Sequence, residues 1–199
     1  MPGMPPPVSG ERQSLIEFLR FNQNAFFAVA YGLTNEQARS TPSVSALSIG
    51  GLIKHAANVQ KGWVERAVAA PDFPPRDERP MEEIMAAYAD QYVMHDDETL
   101  AELLDNLRKQ NEETLRVFAE TDLDTPVPVP HEVPWFPQDI DNWSVRWVAL
   151  HLIEELTRHA GHSDIIRESI DGATMYELMA ANEEWPETDF IKRWKPSPV

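Results

Sequence analysis

The 199-residue chain has no cysteine, which excludes disulfides, a thiolate zinc site and a cysteine nucleophile. Any metal site must therefore be built from His, Asp and Glu, and any thiol chemistry must import its thiol. Basic residues are also scarce: 17 Lys and Arg stand against 33 Asp and Glu, a net charge of −16. Nucleic acids and anionic membranes both call for a basic footprint, so neither is expected as a partner. No apolar run reaches the ~18 residues of a membrane span, and the proline-rich start over 1–8 has no signal-peptide pattern. A soluble, cytoplasmic protein is the expectation. No internal repeat is found, and no segment reads as a strand.

What is present is helical periodicity. The length fits one domain: a loose arm over 1–8, a helical bundle over 9–172, and an extension over 173–199 packed on the bundle. Leu15, Phe18, Leu19, Asn22, Phe26 and Val29 recur close to helical spacing, and Gly32 is placed to stop that helix. Ser48 is a good N-cap for a second long helix carrying Ile49, Leu52, Ile53, Ala56, Val59 and Trp63. Shorter helical patterns cover 34–40 and 81–92, and a third long helix is expected over 99–119. Pro126, Pro128, Pro130, Pro134 and Pro137 forbid a helix in the next stretch, leaving an extended connection. Asn142 or Ser144 then caps a last long helix over 145–170, with Gly172 just beyond it. Trp185, Phe190 and Trp194 in the tail are expected to dock on the body. Four main helices with short extra turns predict an all-α, four-helix bundle with long crossover connections.

The chemistry concentrates in the last long helix. His151, Glu155 and His159 are four residues apart, so each is displaced by only about 40° from the last, and His162 stays near their stripe. Apolar residues on several sides of this helix imply burial, where a carboxylate is costly unless paired or metal-bound. Two nitrogen donors flanking an oxygen donor suit Zn²⁺, with Ni, Fe or Mn as alternatives. One helix cannot surround an ion, so a further ligand must come from elsewhere. His55 is the candidate, because it alone among the other histidines lies in a comparably apolar helix. Spacing alone also fits helix salt bridges among Glu154, Glu155, Arg158 and His159, or a polar solvent face.

Three pieces carry a family resemblance: Gly51 to His55 on the second helix, Pro134-Trp-Phe-Pro137 in the loop, and Arg146 through His151, Glu155, His159 and His162 to Gly172. On these the chain resembles the DinB/YfiT-like metalloenzymes, in the branch related to mycothiol-dependent maleylpyruvate isomerases and thiol S-transferases. The resemblance covers roughly residues 10 to 172 and implies a DinB-like four-helix bundle. It also implies His55, Glu155 and His159 as metal ligands, with Glu in place of the family's usual histidine at the first position of the last pair. His151, His162, Trp63, Trp147 and Arg158 are then expected around the ion or lining the substrate pocket. Asp164 is expected to hold a ligand histidine or face solvent.

The implied function is a zinc-dependent S-transferase or isomerase. It would activate a low-molecular-weight thiol such as mycothiol for attack on an electrophilic small molecule. A hydrolase using activated water is the alternative within enzymes; a non-catalytic stress-response or ligand-binding metalloprotein is the alternative outside them. Members of the family are often dimers, so a homodimer is a further expectation. Arg158 and Arg167 could orient anionic substrate groups, with surface salt bridges as the competing role for each.

Overall fold

The computed structural model describes residues 3–196, so the first two residues of the expected arm and the last three of the extension lie outside the described residues. The elements run α1 (Glu11–Ala30), α2 (Asn35–Arg39), α3 (Ile49–Ala69), α4 (Met81–Asp90), α5 (Leu100–Glu120), β1 (Pro126–Pro128), β2 (Asn142–Ser144), α6 (Val145–Asp171) and α7 (Met175–Asn182). Helices α1, α3, α5 and α6 form the bundle. Both α1 and α3 pack against α5 and α6, so α1–α3 and α5–α6 are its diagonals. The chain crosses a diagonal twice, and these crossings are the long connections between α1 and α3 and between α5 and α6.

The helix starts follow from their capping residues. Ser48 and Ser144 accept bonds from the backbone N–H groups of Gly51 and Trp147, and Thr34 and Thr99 build reciprocal capping boxes with Gln37 and Glu102. Gly172 ends α6 in the left-handed conformation at φ 76°, which glycine adopts without a Cβ penalty. Leu19, Phe26, Leu52, Ile53, Leu107, Leu152 and Leu156 are fully buried between the four long helices. Each such side chain contributes about 1.5–3 kcal/mol through removal from water.

Two strands correct the expectation of none. β1 pairs antiparallel with β2, placing Val127 opposite Trp143, both buried. Prolines are tolerated here because a ribbon only two strands wide leaves each strand one unpaired edge, where a missing N–H costs nothing. The ribbon runs directly into the start of α6 and sets Trp143 against Trp63 and Trp147.

The extension packs on α1 through Ala28, Met179, Ala180 and Trp185. Trp194 meets Tyr31 edge to face at 6.0 Å, but Phe190 is 97% exposed, so two of the three tail aromatics dock and the third does not. Gly3, in the N-terminal arm, lies against Tyr176 and Trp185. Arg167 departs most from a surface role. It is fully buried, pairs with Asp171 at 2.9 Å, and donates to the carbonyls of Val29 and Tyr31 at 2.6 and 2.8 Å. Its guanidinium also lies 4.9 Å from the Trp194 ring. The cation thus binds the end of α1, where the carbonyls and the helix dipole favour positive charge, to the end of α6 and the tail.

Candidate metal centre

α3 and α6 are neighbours in the bundle, and their contact brings His55 to Glu155 and His159. One donor atom from each of the three lies within 4.8 Å of the others. The His55 and His159 rings are 4.6 Å apart, and a His159 ring nitrogen is 3.3 Å from a Glu155 oxygen. His55 is 2% exposed, while Glu155 and His159 are half-buried.

The protonation states suit a cation. Burial, reinforced by repulsion from His159, pushes His55 down to about 4, so at neutral pH one ring nitrogen offers its lone pair. The His159 ring beside Glu155 holds that carboxyl below its usual range against the opposing effect of burial, keeping it ionised. Nδ1 of His55 is buried with no hydrogen-bond partner among the described residues, and its Nε2 has only the Tyr92 hydroxyl at 3.4 Å. A buried imidazole so poorly satisfied is costly in a stability-driven core. Two imidazole nitrogens and one carboxylate oxygen within mutual reach are the donor set of a divalent transition metal, and the three residues fit one.

Two residues absent from the sequence expectations complete this end. α4 stops at Asp90, two residues short of the predicted boundary, and the following turn lays Tyr92 on His55, with ring centroids 4.2 Å apart and planes 19° from parallel. Gln91 is buried against the same histidine and opposes the lowering of its pKa. Adjacent glycines allow the approach: a Cβ on Gly51 would fall 2.0 Å from the Tyr92 carbonyl oxygen, and one on Gly50 would fall 2.3 Å from the Met94 sulfur. The Gly-Gly pair at the start of a helix, where glycine costs stability, was the available sequence signal.

A cavity of about 610 Å³ leads away from the group. Its walls include Trp63, Trp135, Phe136, Trp143 and Trp147, with His55, His151 and Glu155 at one end. His151 stacks on Trp147 at 5.0 Å, meets Trp63 edge-on at 4.8 Å, and places Nε2 4.0 Å from Glu155. It therefore faces the carboxylate oxygen from the aromatic side. Burial and the neighbouring Tyr88 raise the Tyr92 hydroxyl well above its ordinary pKa, leaving it a donor at neutral pH.

Not every expected residue joins the site. Arg158 is 77% exposed and pairs with Glu154 at 3.3 Å, so it takes the surface role on the outer face of α6. Arg167 is locked into the far end of α6, as described above. His162 is half-buried one turn beyond His159 and does not line the cavity. Asp164 is half-buried, and burial together with Glu168 raises its carboxyl to about 6; it makes no hydrogen bond to a ligand histidine among the described residues.

A helical bundle with a His/Glu/His cluster at the α3–α6 seam, opening on an aromatic cavity, defines the class as a DinB-like all-α protein with a candidate metal centre. The particular family follows from comparison. The family model for mycothiol S-transferases matches residues 14–172, so the chain belongs to that family. No curated protein matches the chain. Among solved structures it is similar to the conserved protein of locus from Enterococcus faecalis, at 17% identity and a TM-score of 0.55, over 83% of this chain and all of that one. At that identity the likeness speaks for the fold alone.

Proposed function

We propose that the protein is a zinc-dependent thiol S-transferase. His55, Glu155 and His159 would hold the ion, and the cavity would take the thiol and its electrophile. The supporting observation is the convergence of these three donors beside an aromatic cleft, with His55 held neutral and Glu155 held ionised, in a mycothiol S-transferase family member. A zinc ion held by three protein ligands keeps a position open and lowers the pKa of a thiol enough to make it a nucleophile at neutral pH. The absence of cysteine means that the sulfur comes from a cosubstrate, for which mycothiol is the family's indication.

The chain's own groups then have definite tasks. His151, fixed between Trp147 and Trp63, orients Glu155. The Tyr92 hydroxyl, kept protonated, supplies a hydrogen bond beside His55. The tryptophan walls exclude water and pack the apolar part of the electrophile. In the transfer a sulfur–carbon bond forms. With an alkyl halide the carbon–halogen bond breaks and the thiol proton leaves with the halide; with an activated alkene the proton goes to the adjacent carbon.

Elemental analysis of purified protein is the test, comparing wild type with His55→Ala and Glu155→Ala. Near-stoichiometric zinc in wild type, lost from both variants, is expected, together with turnover of a chromogenic electrophile only when a thiol is added. Full metal retention in His55→Ala would overturn the ligand set. Thiol-independent turnover would make the protein a hydrolase instead.

A further inference from the structure

We propose that Arg66 is the specificity residue of the cleft and selects electrophiles that carry a carboxylate, bound at the end remote from the metal centre. This deepens the transferase reading of the same cavity and rests on it for the word electrophile. Arg66 lines the cavity from the last turn of α3, half-buried, with its guanidinium 5.7 Å from the Trp63 ring and 5.9 Å from the Phe136 ring. No carboxylate among the described residues comes within 4.0 Å of it, and it donates no hydrogen bond to them. Its nearest acidic neighbours, Glu132 and Glu65, act on it only at longer range, and burial outweighs them, lowering its pKa from the usual arginine range.

An arginine at the C-terminal end of a helix has an ordinary explanation in the dipole. That role is served by donation to terminal carbonyls or by an exposed charge, and Arg66 has neither. It is instead partly desolvated, set beside two aromatic rings and left without a hydrogen-bond partner among the described residues. A guanidinium flanked by two aromatic rings, with no partner among the described residues, has its fork free for bidentate binding of a planar anion, the geometry of a carboxylate. In a chain of net charge −16, a partly buried cation that forms no internal ion pair stands out. Arg167, Arg146 and Arg116 all have carboxylate partners within 3 Å.

The spacing defines the ligand further. His55 and Arg66 are separated by eleven residues of α3, which is about 16 Å along the helix axis. Val59, Gly62 and Trp63 line the stretch between them, and a Cβ on Gly62 would meet nothing within 4 Å. The ligand is therefore elongated and apolar in its middle, with the reactive carbon at the metal end and the carboxylate at the other.

The test measures binding, so that it stands apart from turnover. Zinc-loaded wild type, Arg66→Gln and Arg66→Lys are titrated with phenylbutyrate and with its uncharged amide, read by tryptophan fluorescence and calorimetry. Wild type is expected to bind the carboxylate at least about tenfold more tightly than the amide, the effect of one charge-assisted pair. Arg66→Gln is expected to lose that preference while keeping its affinity for the amide, and Arg66→Lys to keep part of it. The preference should survive removal of zinc with a chelator. A preference that vanishes with the metal would mean that the carboxylate ligates the ion, and would overturn the assignment. So would an unchanged preference in Arg66→Gln, or a parallel loss for both ligands. Failure of the transferase assay alone would leave this binding result intact. With an active thiol, a series of ω-iodoalkanoates of rising chain length should show a maximum in kcat/KM that Arg66→Gln abolishes.

Discussion

Gln60 and His55 lie five residues apart on α3, both buried, and their polar atoms are treated in opposite ways. The Gln60 amide accepts from Gln23 at 2.8 Å and donates to Asn111 at 2.8 Å and to the Ala56 carbonyl at 2.9 Å. Three helices are tied through it, and no atom in the chain of amides is left buried without a partner. At His55 one nitrogen is orphaned and the other has a long contact to Tyr92, with the Gln91 amide close by. Arg167 follows the Gln60 pattern, with three backbone or carboxylate partners around a fully buried guanidinium, and Arg66 follows the His55 pattern. Satisfied polar groups in this bundle hold helices together. His55 and Arg66, which lack such partners among the described residues, line one and the same cavity, where an incoming ligand would complete them.

The comparison breaks most visibly at its satisfied end. Arg167→Ala removes the cation that bridges the carbonyl end of α1, Asp171 and Trp194, leaving buried acceptors without donors. Urea unfolding should show a loss of about 3–5 kcal/mol, with zinc content unchanged in the fraction that folds. Gln60→Leu comes next. It strands the side chains of Gln23 and Asn111 in the core, and a loss of about 2 kcal/mol is expected. If Gln60→Leu proved neutral, satisfaction would not be what separates the two clusters.

Much of this architecture is legible in the sequence. Apolar spacing and the capping serines and threonines define the four long helices to within a residue or two, because both signals are local. The stripe of His151, Glu155 and His159 is likewise a property of one helix. What escapes is what depends on distant chain. Tyr92 and Gln91 reach His55 only because α4 ends early and Gly50 and Gly51 admit the following turn. Arg167 reads as a surface residue because its partners are carbonyls more than a hundred residues away, which leave no trace in local composition. Arg66 resembles any basic residue near a helix end until Trp63 and Phe136 are seen around it. The β1–β2 ribbon is hidden because its prolines argue against a strand everywhere except at an edge.

At the unsatisfied end the sign should reverse. His55→Leu replaces an imidazole lacking a buried partner with an apolar side chain of similar size. In chelator-treated protein it is expected to raise stability by about 1 kcal/mol, less what is lost with the Tyr92 stack. Zinc should then stabilise wild type but not the variant, seen as a metal-dependent shift in Tm for one and none for the other. A destabilised apo variant would place His55 with Gln60 among the structural groups.

The smallest effect sharpens the comparison through pH. Asp164 sits half-buried on α6 with no cation beside it, and burial, with Glu168 nearby, raises it to about 6 from 3.8. An acid whose pKa is higher in the folded state than in the unfolded one binds more protons folded. Stability from this group is therefore fully present below pH 4 and is lost as pH rises through 6. A shift of about two units corresponds to at most about 3 kcal/mol, and partial exposure reduces this to about 1–2 kcal/mol. Asp164→Asn should accordingly be the more stable protein at pH 7.5, with its advantage fading between pH 6 and pH 4. Chemical denaturation of both proteins across that range gives the difference curve directly. An advantage that is flat with pH would mean that Asp164 ionises as an ordinary surface carboxylate.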